Sequence, residues 1–284
     1  MKVENIECVA VSKDGRFIAA GSGRGDVLVW GGTTYEQVFA GKITGGTTIY
    51  DVDFSTDSTR LVSADYQSCT AIIWDIATRK KVQTLQGHVD RVEAAKYSPQ
   101  GDRIATATKG SIRVWDSNDG QLLVDVKLKL KPLHGLLWFN NHLFVKTKDK
   151  KIRQIEASTG STVSKWIVPD ASSYIALPQY GKFIAYSTRN SITFWDTSTH
   201  IQLNLIPRVT KSLSITFSRD DHLAIVTVKG RIIIEAPSLI SVCLRMTKFS
   251  FLTCTSYTRS WTFALKTLCS MHGDTDNSQM QKRY

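Results

Sequence analysis

The sequence repeats itself about every forty residues, and this period constrains the fold more than any other feature. A short β-like run ends in tryptophan at four of these steps, and isoleucine stands at the other two: Trp30, Trp74, Trp115, Ile155, Trp195 and Ile234. The steps are 44, 41, 40, 40 and 39 residues. Since they are nearly equal, they predict an array of similar units, each of which buries its apolar surface against its neighbours.

A second series of landmarks keeps the same step. Turn-forming quartets begin at Ser12, Ser55, Ser98, Pro178 and Ser218, and Asn140-Asn141 fills the gap. Each unit carries four β-rich runs separated by turn residues, and no window of 12 or more residues keeps a helical apolar face. We therefore predict an all-β β-propeller of four-stranded antiparallel blades with six clear repeats.

Several short motifs resemble the tryptophan-aspartate (WD) repeat family of β-propellers. They are Gly87-His88, Trp74-Asp75, Ile112-Arg113-Val114-Trp115-Asp116 and Trp195-Asp196, within a resemblance that covers residues 5 to about 240. The resemblance implies that each repeat supplies strands a, b, c and d of one blade, with the da and bc loops on one rim. It also implies structural roles for Trp30, Trp74, Asp75, His88, Thr106, Trp115, Asp116, Trp195 and Asp196.

The inner polar network of the family is incomplete in this chain. The family joins a His of the da loop, a Ser or Thr of strand b, an Asp of the bc turn and the strand c Trp. The third repeat comes nearest, with His88, Thr106 and Trp115, but Lys109 stands where the Asp is expected. We therefore expect apolar packing, rather than this network, to stabilise the blades.

The C-terminal residues divide from the rest. We assign residues 1–244 to the propeller, and residues 245–284 to a degenerate seventh blade around Trp261 and Phe263 or to a poorly ordered C-terminal extension. The family most often has seven blades, and the last segment has no clear turn motif and a hydrophilic end. A third alternative is that the chain is part of a longer array.

The bc turns are unusually basic. Six residues before the strand c tryptophan, or before Ile155, the sequence has Arg24, Ser68, Lys109, Asp149 and Arg189, and Lys229 lies five residues before Ile234. Asp149 lies between two lysines. Because these turns are expected on one rim, the predicted partner-binding residues are Arg24, Lys109, Lys148, Lys150, Arg189 and Lys229. Such a rim attracts acidic peptides or phosphate groups. A basic chain with solvated turns explains the same residues without a partner.

A basic side patch offers a different function. The chain has 36 Lys and Arg against 25 Asp and Glu, a net charge of +11. Part of the excess lies in two series on the third and fourth repeats, and the alternation of side chains along a strand places each series largely on one exposed face. The residues are Lys127, Lys129, Lys131, Lys146, Lys148, Lys150, Lys151 and Arg153. This pattern allows a nucleic-acid or ribonucleoprotein-binding propeller, although sparse aromatics disfavour sequence-specific reading of RNA. Lysines that protect a sheet edge give the same pattern.

The first strands of the second and third repeats carry opposite charges at matching positions. Asp53 and Lys96 are predicted to form an ion pair between adjacent blades. A propeller enzyme would need two opposed acids, whereas Asp51 and Asp53 are neighbours on one strand. We therefore predict that the protein is not an enzyme.

Cysteine and histidine spacing excludes other classes. The five cysteines include no CxxC pair, and the six histidines have no metal-ligand spacing. No apolar run reaches the roughly 20 residues of a membrane helix, and the first residues do not form a signal peptide. We predict no metal, cofactor, small-molecule substrate or membrane contact, and an intracellular location, cytoplasmic or nuclear.

Together these features predict a non-catalytic WD-repeat scaffold that mediates protein–protein interactions. Its basic loop rim favours acidic or phosphorylated partners. Two alternatives stay open: a nucleic-acid-binding propeller, and a sensor fragment of a larger NACHT-type signalling protein, in which similar degenerate arrays occur.

Overall fold

The computed structural model describes residues 5–43, 47–128, 132–168, 171–177, 181, 183–188, 191–199, 201–207, 214–217, 224–228, 231–235 and 252–253. Within these ranges the chain forms 24 β-strands and no helix, arranged in six antiparallel sheets of four strands. In every sheet the strands lie side by side in chain order. The prediction of an all-β chain built from four-stranded antiparallel propeller blades is confirmed.

The first three sheets are the most regular. The first comprises β1 (Ile6–Val11), β2 (Phe17–Ser22), β3 (Asp26–Gly31) and β4 (Gln37–Lys42). The second comprises β5 (Ile49–Phe54), β6 (Arg60–Asp65), β7 (Thr70–Asp75) and β8 (Lys80–Leu85). The third comprises β9 (Val92–Tyr97), β10 (Arg103–Thr108), β11 (Ser111–Asp116) and β12 (Leu122–Lys127).

The last three sheets repeat the pattern. The fourth comprises β13 (Pro132–Phe139), β14 (His142–Thr147), β15 (Lys151–Glu156) and β16 (Thr162–Ile167). The fifth comprises β17 (Ala171–Ala176), β18 (Phe183–Thr188), β19 (Ser191–Asp196) and β20 (Gln202–Pro207). The sixth comprises β21 (Ser214–Phe217), β22 (Ala224–Val228), β23 (Arg231–Glu235) and β24 (Leu252–Thr253).

The sixth sheet takes its outer strand from beyond the predicted domain boundary. Leu252 pairs with Ile232, and Thr253 pairs with Arg231. The rest of residues 245–284 lies outside the described residues, so the division at residue 244 stays a prediction.

The turn between the first and second strands explains the second sequence landmark. Ser55 Oγ donates to Asp57 at 2.6 Å and accepts the backbone N–H of Arg60 at 2.9 Å. The equivalent bonds in the first and third sheets run from Ser12 to Asp14 and from Ser98 to Asp102, each at 2.7 Å. A short polar side chain that bonds to its own loop favours a tight turn over a longer strand.

Apolar residues between neighbouring sheets form the core. Separate buried clusters join the first sheet to the second, the second to the third, the third to the fourth and the fourth to the fifth. Strands β6 and β7 are therefore buried on both faces, which explains their near-continuous β-branched and small apolar residues. The outermost strand β12 is largely exposed.

The third sheet contains a polar relay despite its missing Asp. Trp115 Nε1 donates to Thr106 Oγ1 at 2.7 Å, and His88 Nε2 lies 2.6 Å from the same oxygen. The other ring nitrogen of His88 lies 3.5 Å from Ser111 Oγ. All four residues are buried. The expectation that apolar packing replaces the network was therefore incomplete, because Ser111 takes part where the carboxylate was expected.

The strand c tryptophans of two other sheets make a shorter version of this contact. Trp74 Nε1 donates to Ser63 Oγ at 2.8 Å, and Trp195 Nε1 donates to Tyr186 Oη at 3.1 Å. Trp30 is half-buried on β3. A hydroxyl on strand b thus anchors the indole in three sheets of the described chain.

The aspartate that follows the tryptophan fixes the next turn. Asp75 accepts the backbone N–H of Thr78 at 2.7 Å, and the same bonds lower the pKa of Asp75. Asp116 accepts the N–H of Asn118 at 2.8 Å. Asp196 accepts hydrogen bonds from Ser198, which lower its pKa to about 2. These carboxylates stabilise the turns that lead into the outer strands.

Candidate functional site

Side chains on the first strands show how neighbouring sheets align. Asp51 on β5 accepts the backbone N–H of Ala95 on β9 at 3.1 Å, and Asp53 accepts that of Tyr97 at 2.8 Å. Both bonds join residues 44 apart, so β5 and β9 run parallel and in register. Equivalent turns of these two sheets therefore lie at the same end.

The turns between the second and third strands lie together at one end of the sheets, and we call them the bc rim. In the first four sheets it comprises residues 23–25, 66–69, 109–110 and 148–150. Four of the predicted partner-binding residues lie in it: Arg24, Lys109, Lys148 and Lys150. Arg189 and Lys229 lie outside the described residues.

The turn of the fourth sheet presents its lysines to solvent by turning an acid inward. Asp149 accepts hydrogen bonds from both terminal nitrogens of Arg153, at 3.0 and 2.8 Å. Burial raises the pKa of Asp149, but the hydrogen bonds from Thr147 and Arg153 outweigh it, so the pKa lies below its usual value. Lys148 and Lys150, on either side, are exposed. The turn therefore offers two cationic side chains to a partner.

The other two predicted cations of the rim, Arg24 and Lys109, lie on the turns of the first and third sheets. Arg24 is exposed in the turn of the first sheet, where its backbone N–H bonds Ser22 Oγ at 3.2 Å. Lys109 Nζ lies 3.8 Å from a carboxylate oxygen of Glu93. Part of the charge of Lys109 is thus neutralised within the protein.

A stack of two tyrosines and an arginine lies beside the bc rim. The rings of Tyr50 and Tyr66 are 4.5 Å apart and 16° from parallel. The guanidinium carbon of Arg91 lies 4.7 Å from the Tyr66 ring centroid, and Arg91 donates to Tyr66 Oη at 3.3 Å. We call these three residues the aromatic–arginine cluster. Stacked rings and an exposed guanidinium are typical of residues that dominate protein interfaces.

A buried carboxylate holds the turn that carries this cluster. Asp65 accepts the backbone N–H groups of Gln67 at 3.1 Å and Ser68 at 3.2 Å. It also accepts hydrogen bonds from the hydroxyls of Thr47 and Ser68. Because these bonds fix the loop before any partner arrives, Tyr66 is preorganised and loses little conformational freedom on binding.

Sequence reasoning missed the aromatic–arginine cluster. Its members belong to β5, the bc turn of the second sheet and the loop before β9, and none of them repeats with the forty-residue period. The basic turns could be predicted from the sequence because they recur in most units. A cluster that occurs in one unit gives no periodic signal. The one available signal was the presence of tyrosines close to turn residues.

The ion pair between adjacent blades uses a different acid from the predicted one. Lys96 Nζ lies 2.8 Å from a carboxylate oxygen of Asp51, so the predicted pairing of Lys96 with Asp53 is wrong. Asp53 instead bonds to the backbone of β9. Burial raises the pKa of Asp53 to about 6, although the charge of Lys96 opposes this rise.

A shallow cavity of about 230 Å³ lies at the end of the stack opposite the bc rim. Asp53, Tyr97 and Trp138 line it, together with turn residues such as Pro99. Both Asp51 and Asp53 are bonded to the neighbouring strand. Among the described residues that line the cavity, Asp53 is the one acid, so the lining does not place two acids across a substrate.

The basic side patch predicted for nucleic acid is interrupted. Lys146 is buried, which lowers its pKa to about 8. Arg153 is paired with Asp149, and Lys127 Nζ lies 3.0 Å from Asp125. Lys129 and Lys131 lie outside the described residues. The prediction that Lys146 shares one exposed face with the neighbouring lysines is wrong, because strand β14 is covered on both sides.

Metal-binding groups and membrane-spanning helices are both absent from the described part of the chain. No group of three or more His, Cys, Asp or Glu side chains there could hold a metal ion. Over the same residues, no helix has the length and apolar character that a membrane crossing requires. Cys8 and Cys69 are free thiols, and burial raises the pKa of Cys8 to about 12.

The fold and its turns define a class of repeat protein, and comparison with known families finds a match over the first three sheets. The WD40 family, described as "WD domain, G-beta repeat", matches residues 3–31, 34–75 and 79–116. These ranges run from β1 through β11. Over these residues, about two fifths of the chain, the sequence is similar to the WD-repeat family.

Curated relatives are WD-repeat proteins of greater length. The chain is 31% identical over 117 residues to WD repeat-containing protein SL1-17 of Schistosoma mansoni, covering 41% of this chain and 38% of that protein. It is 29% identical over 122 residues to a guanine nucleotide-binding protein subunit beta of Solanum tuberosum, with 41% and 32% covered. It is 26% identical over 174 residues to actin-interacting protein 1 of Caenorhabditis elegans, with 58% and 26% covered. The chain thus spans 26 to 38% of these relatives.

Proposed function

We propose that the chain is a non-catalytic scaffold that binds other proteins through the bc rim and favours acidic or phosphorylated segments. The observation that carries the proposal is Arg91, held over the Tyr66 ring with an exposed guanidinium. A guanidinium binds carboxylate and phosphate in a forked geometry, and a ring beneath it restricts its motion. The names of two relatives, a subunit of a guanine nucleotide-binding protein and an actin-interacting protein, support a protein partner.

Further cations extend this surface along the rim. Arg24 is exposed on the turn of the first sheet, and Lys148 and Lys150 are exposed on the turn of the fourth sheet. Their summed field raises the rate at which an anionic segment meets the rim, and the aromatic–arginine cluster supplies the central contact. Screening limits the long-range part to about 8 Å at physiological salt, so the rim acts mainly on segments that already touch it.

Binding rather than catalysis is part of the proposal. Asp51 and Asp53 are the two acids considered for chemistry, and both accept hydrogen bonds from the backbone of β9. The proposal also includes an intracellular location, supported by a cysteine pattern without a disulfide framework.

Synthetic peptides of one length test the proposal directly. A Glu-rich peptide, its phosphoserine counterpart and a Lys-rich peptide are titrated against the full chain by fluorescence anisotropy at 50 and 150 mM salt. We expect the first two to bind, and Arg91→Glu to weaken them about tenfold, equal to about 1.4 kcal/mol. Arg79→Glu, the same reversal in an exposed turn at the opposite end, is the matched control and should change the affinity less than twofold.

Two results would contradict the proposal. Equal binding of the Lys-rich peptide, or an equal loss with Arg79→Glu, would show that the rim does not select anionic partners. A single-stranded RNA of matched charge is the fourth ligand. RNA binding that persists at 150 mM salt while the peptides fail would favour a nucleic-acid partner instead.

A further inference from the structure

The cavity at the end opposite the bc rim is formed by four consecutive sheets. Each sheet contributes a residue from its first strand: Val11 on β1, Asp53 on β5, Tyr97 on β9 and Trp138 on β13. The turns that follow these strands complete the walls. Because the lining comes from four separate segments, the cavity exists only in the assembled stack of sheets.

Two serine hydroxyls of the lining use their protons within their own turns. Ser55 Oγ donates to Asp57 at 2.6 Å, and Ser98 Oγ donates to Asp102 at 2.7 Å. A hydroxyl has one proton and two lone pairs. Towards a ligand in the cavity, these two oxygens can therefore only accept hydrogen bonds.

The other side-chain donors of the second, third and fourth sheets are occupied or shielded. Thr56 Oγ1 donates to the carbonyl oxygen of Pro99 at 3.1 Å, and Trp138 Nε1 donates to that of Asn140 at 2.8 Å. The hydroxyl of Tyr97 is inaccessible to solvent, so it does not face the cavity. A ligand that donates hydrogen bonds fits this lining better than one that accepts them.

The lining also carries an acid without a matching cation. Asp53 forms no ion pair with a described Lys or Arg, because Lys96 pairs with Asp51 at 2.8 Å. Burial raises the pKa of Asp53 to about 6, so the carboxylate is ionised at pH 7.5. These two acids and one lysine sum to a charge of −1. Lys13, the other charged lining residue, is exposed, and its flexible chain can keep its ammonium in water.

We propose that this cavity binds the side chain of one arginine of a partner protein. A guanidinium brings five N–H donors and a positive charge to a lining of acceptors and one carboxylate, Asp53. Its planar face packs on aromatic rings, and the ring of Trp138 is partly exposed. A guanidinium is also less strongly hydrated than the ammonium of lysine, so its burial costs less.

The size of the cavity favours one side chain over a free ligand. Its volume is about 230 Å³, whereas pockets for small molecules usually have about 300–1,000 Å³. The site is separate from the bc rim and does not depend on the proposed function. A scaffold with both sites holds two partners of opposite charge at its two ends.

Peptides that differ in one residue test the proposal in the full chain. Acetylated and amidated Gly/Ser peptides of one length carry a central arginine, lysine or citrulline, the neutral isostere of arginine. They are titrated at pH 7.5 and 150 mM salt, and binding is followed by the NMR signal of the Trp138 indole N–H. We expect the arginine peptide to bind at least about fivefold more tightly than the lysine peptide, and the citrulline peptide to leave this signal unchanged.

Two variants and a control locate the contact. Asp53→Asn keeps an oxygen for the N–H of Tyr97 but removes the charge, and it should weaken the arginine peptide at least about tenfold. Asp90→Asn is the matched control: Asp90 is also half-buried and accepts the backbone N–H of Arg91 at 2.9 Å. It should change the affinity less than twofold. Lys13→Glu alters an exposed residue without challenging the fold and should tighten binding about threefold.

Four results would overturn the proposal. They are equal affinities of the three peptides, equal effects of Asp53→Asn and Asp90→Asn, no tightening with Lys13→Glu, and tighter binding of the free guanidinium compound agmatine than of the arginine peptide. The last result would assign the cavity to a small molecule. None of these results bears on the binding of acidic peptides to the bc rim, so the two proposals fail independently.

Discussion

The third and fourth sheets solve the same packing problem with different chemistry. In the third, Thr106 and Trp115 on paired strands share a hydrogen bond that extends to His88. In the fourth, Val145 and Ile155 occupy the matching positions, and both are buried. The strand order and the register of the two sheets are nevertheless the same.

The difference shows that the polar relay is one of two adequate solutions. Replacing both partners of a buried hydrogen bond by apolar groups is nearly neutral, whereas removing one partner leaves the other desolvated at a cost of about 1–3 kcal/mol. A repeat can therefore lose the relay as a unit. It cannot lose it one residue at a time without destabilisation, and the following predictions test this contrast.

The largest effect is expected for Trp115→Ala. It removes a buried indole and leaves the Thr106 hydroxyl without its donor, so the free energy of unfolding should fall by about 3–5 kcal/mol. Ile155→Ala, the matched change in the fourth sheet, lacks the polar component and should cost less, about 2–3 kcal/mol. Urea denaturation followed by fluorescence measures both. Equal losses would mean that the relay adds nothing to packing.

The relay should add a pH dependence of its own to the free energy of unfolding. Burial, together with the nearby Arg113, lowers the pKa of His88 from 6.5 to about 4. The unfolded chain then binds a proton at His88 more readily than the folded chain. The stability that the neutral His88 contributes is therefore complete above pH 6.5 and is lost as the pH falls towards 4. The loss amounts to about 3 kcal/mol.

The variant His88→Gln isolates this dependence. Its unfolding free energy between pH 7 and 4 should vary less than that of the natural chain by about 3 kcal/mol. The fourth sheet has no relay and serves as internal reference through Val145→Ile, which should keep the full pH dependence. Identical pH profiles for His88→Gln and the natural chain would remove His88 as the cause.

Exchanging single partners should destabilise either sheet. Thr106→Val leaves the Trp115 indole N–H and a nitrogen of His88 unpaired, at a cost of about 1–3 kcal/mol. Val145→Thr places an unpaired hydroxyl in an apolar site at a similar cost. Thermal and urea unfolding measure both variants. A neutral Thr106→Val would show that the hydrogen bonds seen in the third sheet do not stabilise it.

The smallest effect should come from the rim lysines. Lys148→Glu with Lys150→Glu changes exposed turn residues and should alter the unfolding free energy by less than about 0.5 kcal/mol. Glu93→Gln in the third sheet removes the partner of Lys109 and should cost no more than about 1 kcal/mol. A large loss for the lysine pair would indicate a structural role in place of a binding role.

The fold could be predicted because its signals repeat. The tryptophan steps and the serine turns predicted six four-stranded units, and Ser55 and its equivalents bond as a tight turn requires. The outer strand at Leu252–Thr253 could not be predicted in the same way, since it lies beyond the last landmark of the repeat. The repeat period therefore predicted the position of the units but not that of the outer strand of the sixth unit.

Side-chain partners were harder to predict than positions. Asp53 and Lys96 do lie at matching places, but the flexible lysine reaches Asp51 instead. Alternation along β14 suggested that Lys146 faces solvent, yet a strand inside a stack has no exposed face. The rim turns Arg24, Lys109 and 148–150 were located from sequence, whereas their ion pairs needed the structure.

The carboxylates of Asp51 and Asp53 occupy backbone donors along the free side of β9. An extended peptide entering from that side would find these N–H groups already taken and could not extend the sheet by strand addition. A partner that binds along this edge of β9 must therefore be recognised through side chains. For the same reason, these two acids prevent a second copy of the chain from pairing with the edge of β9.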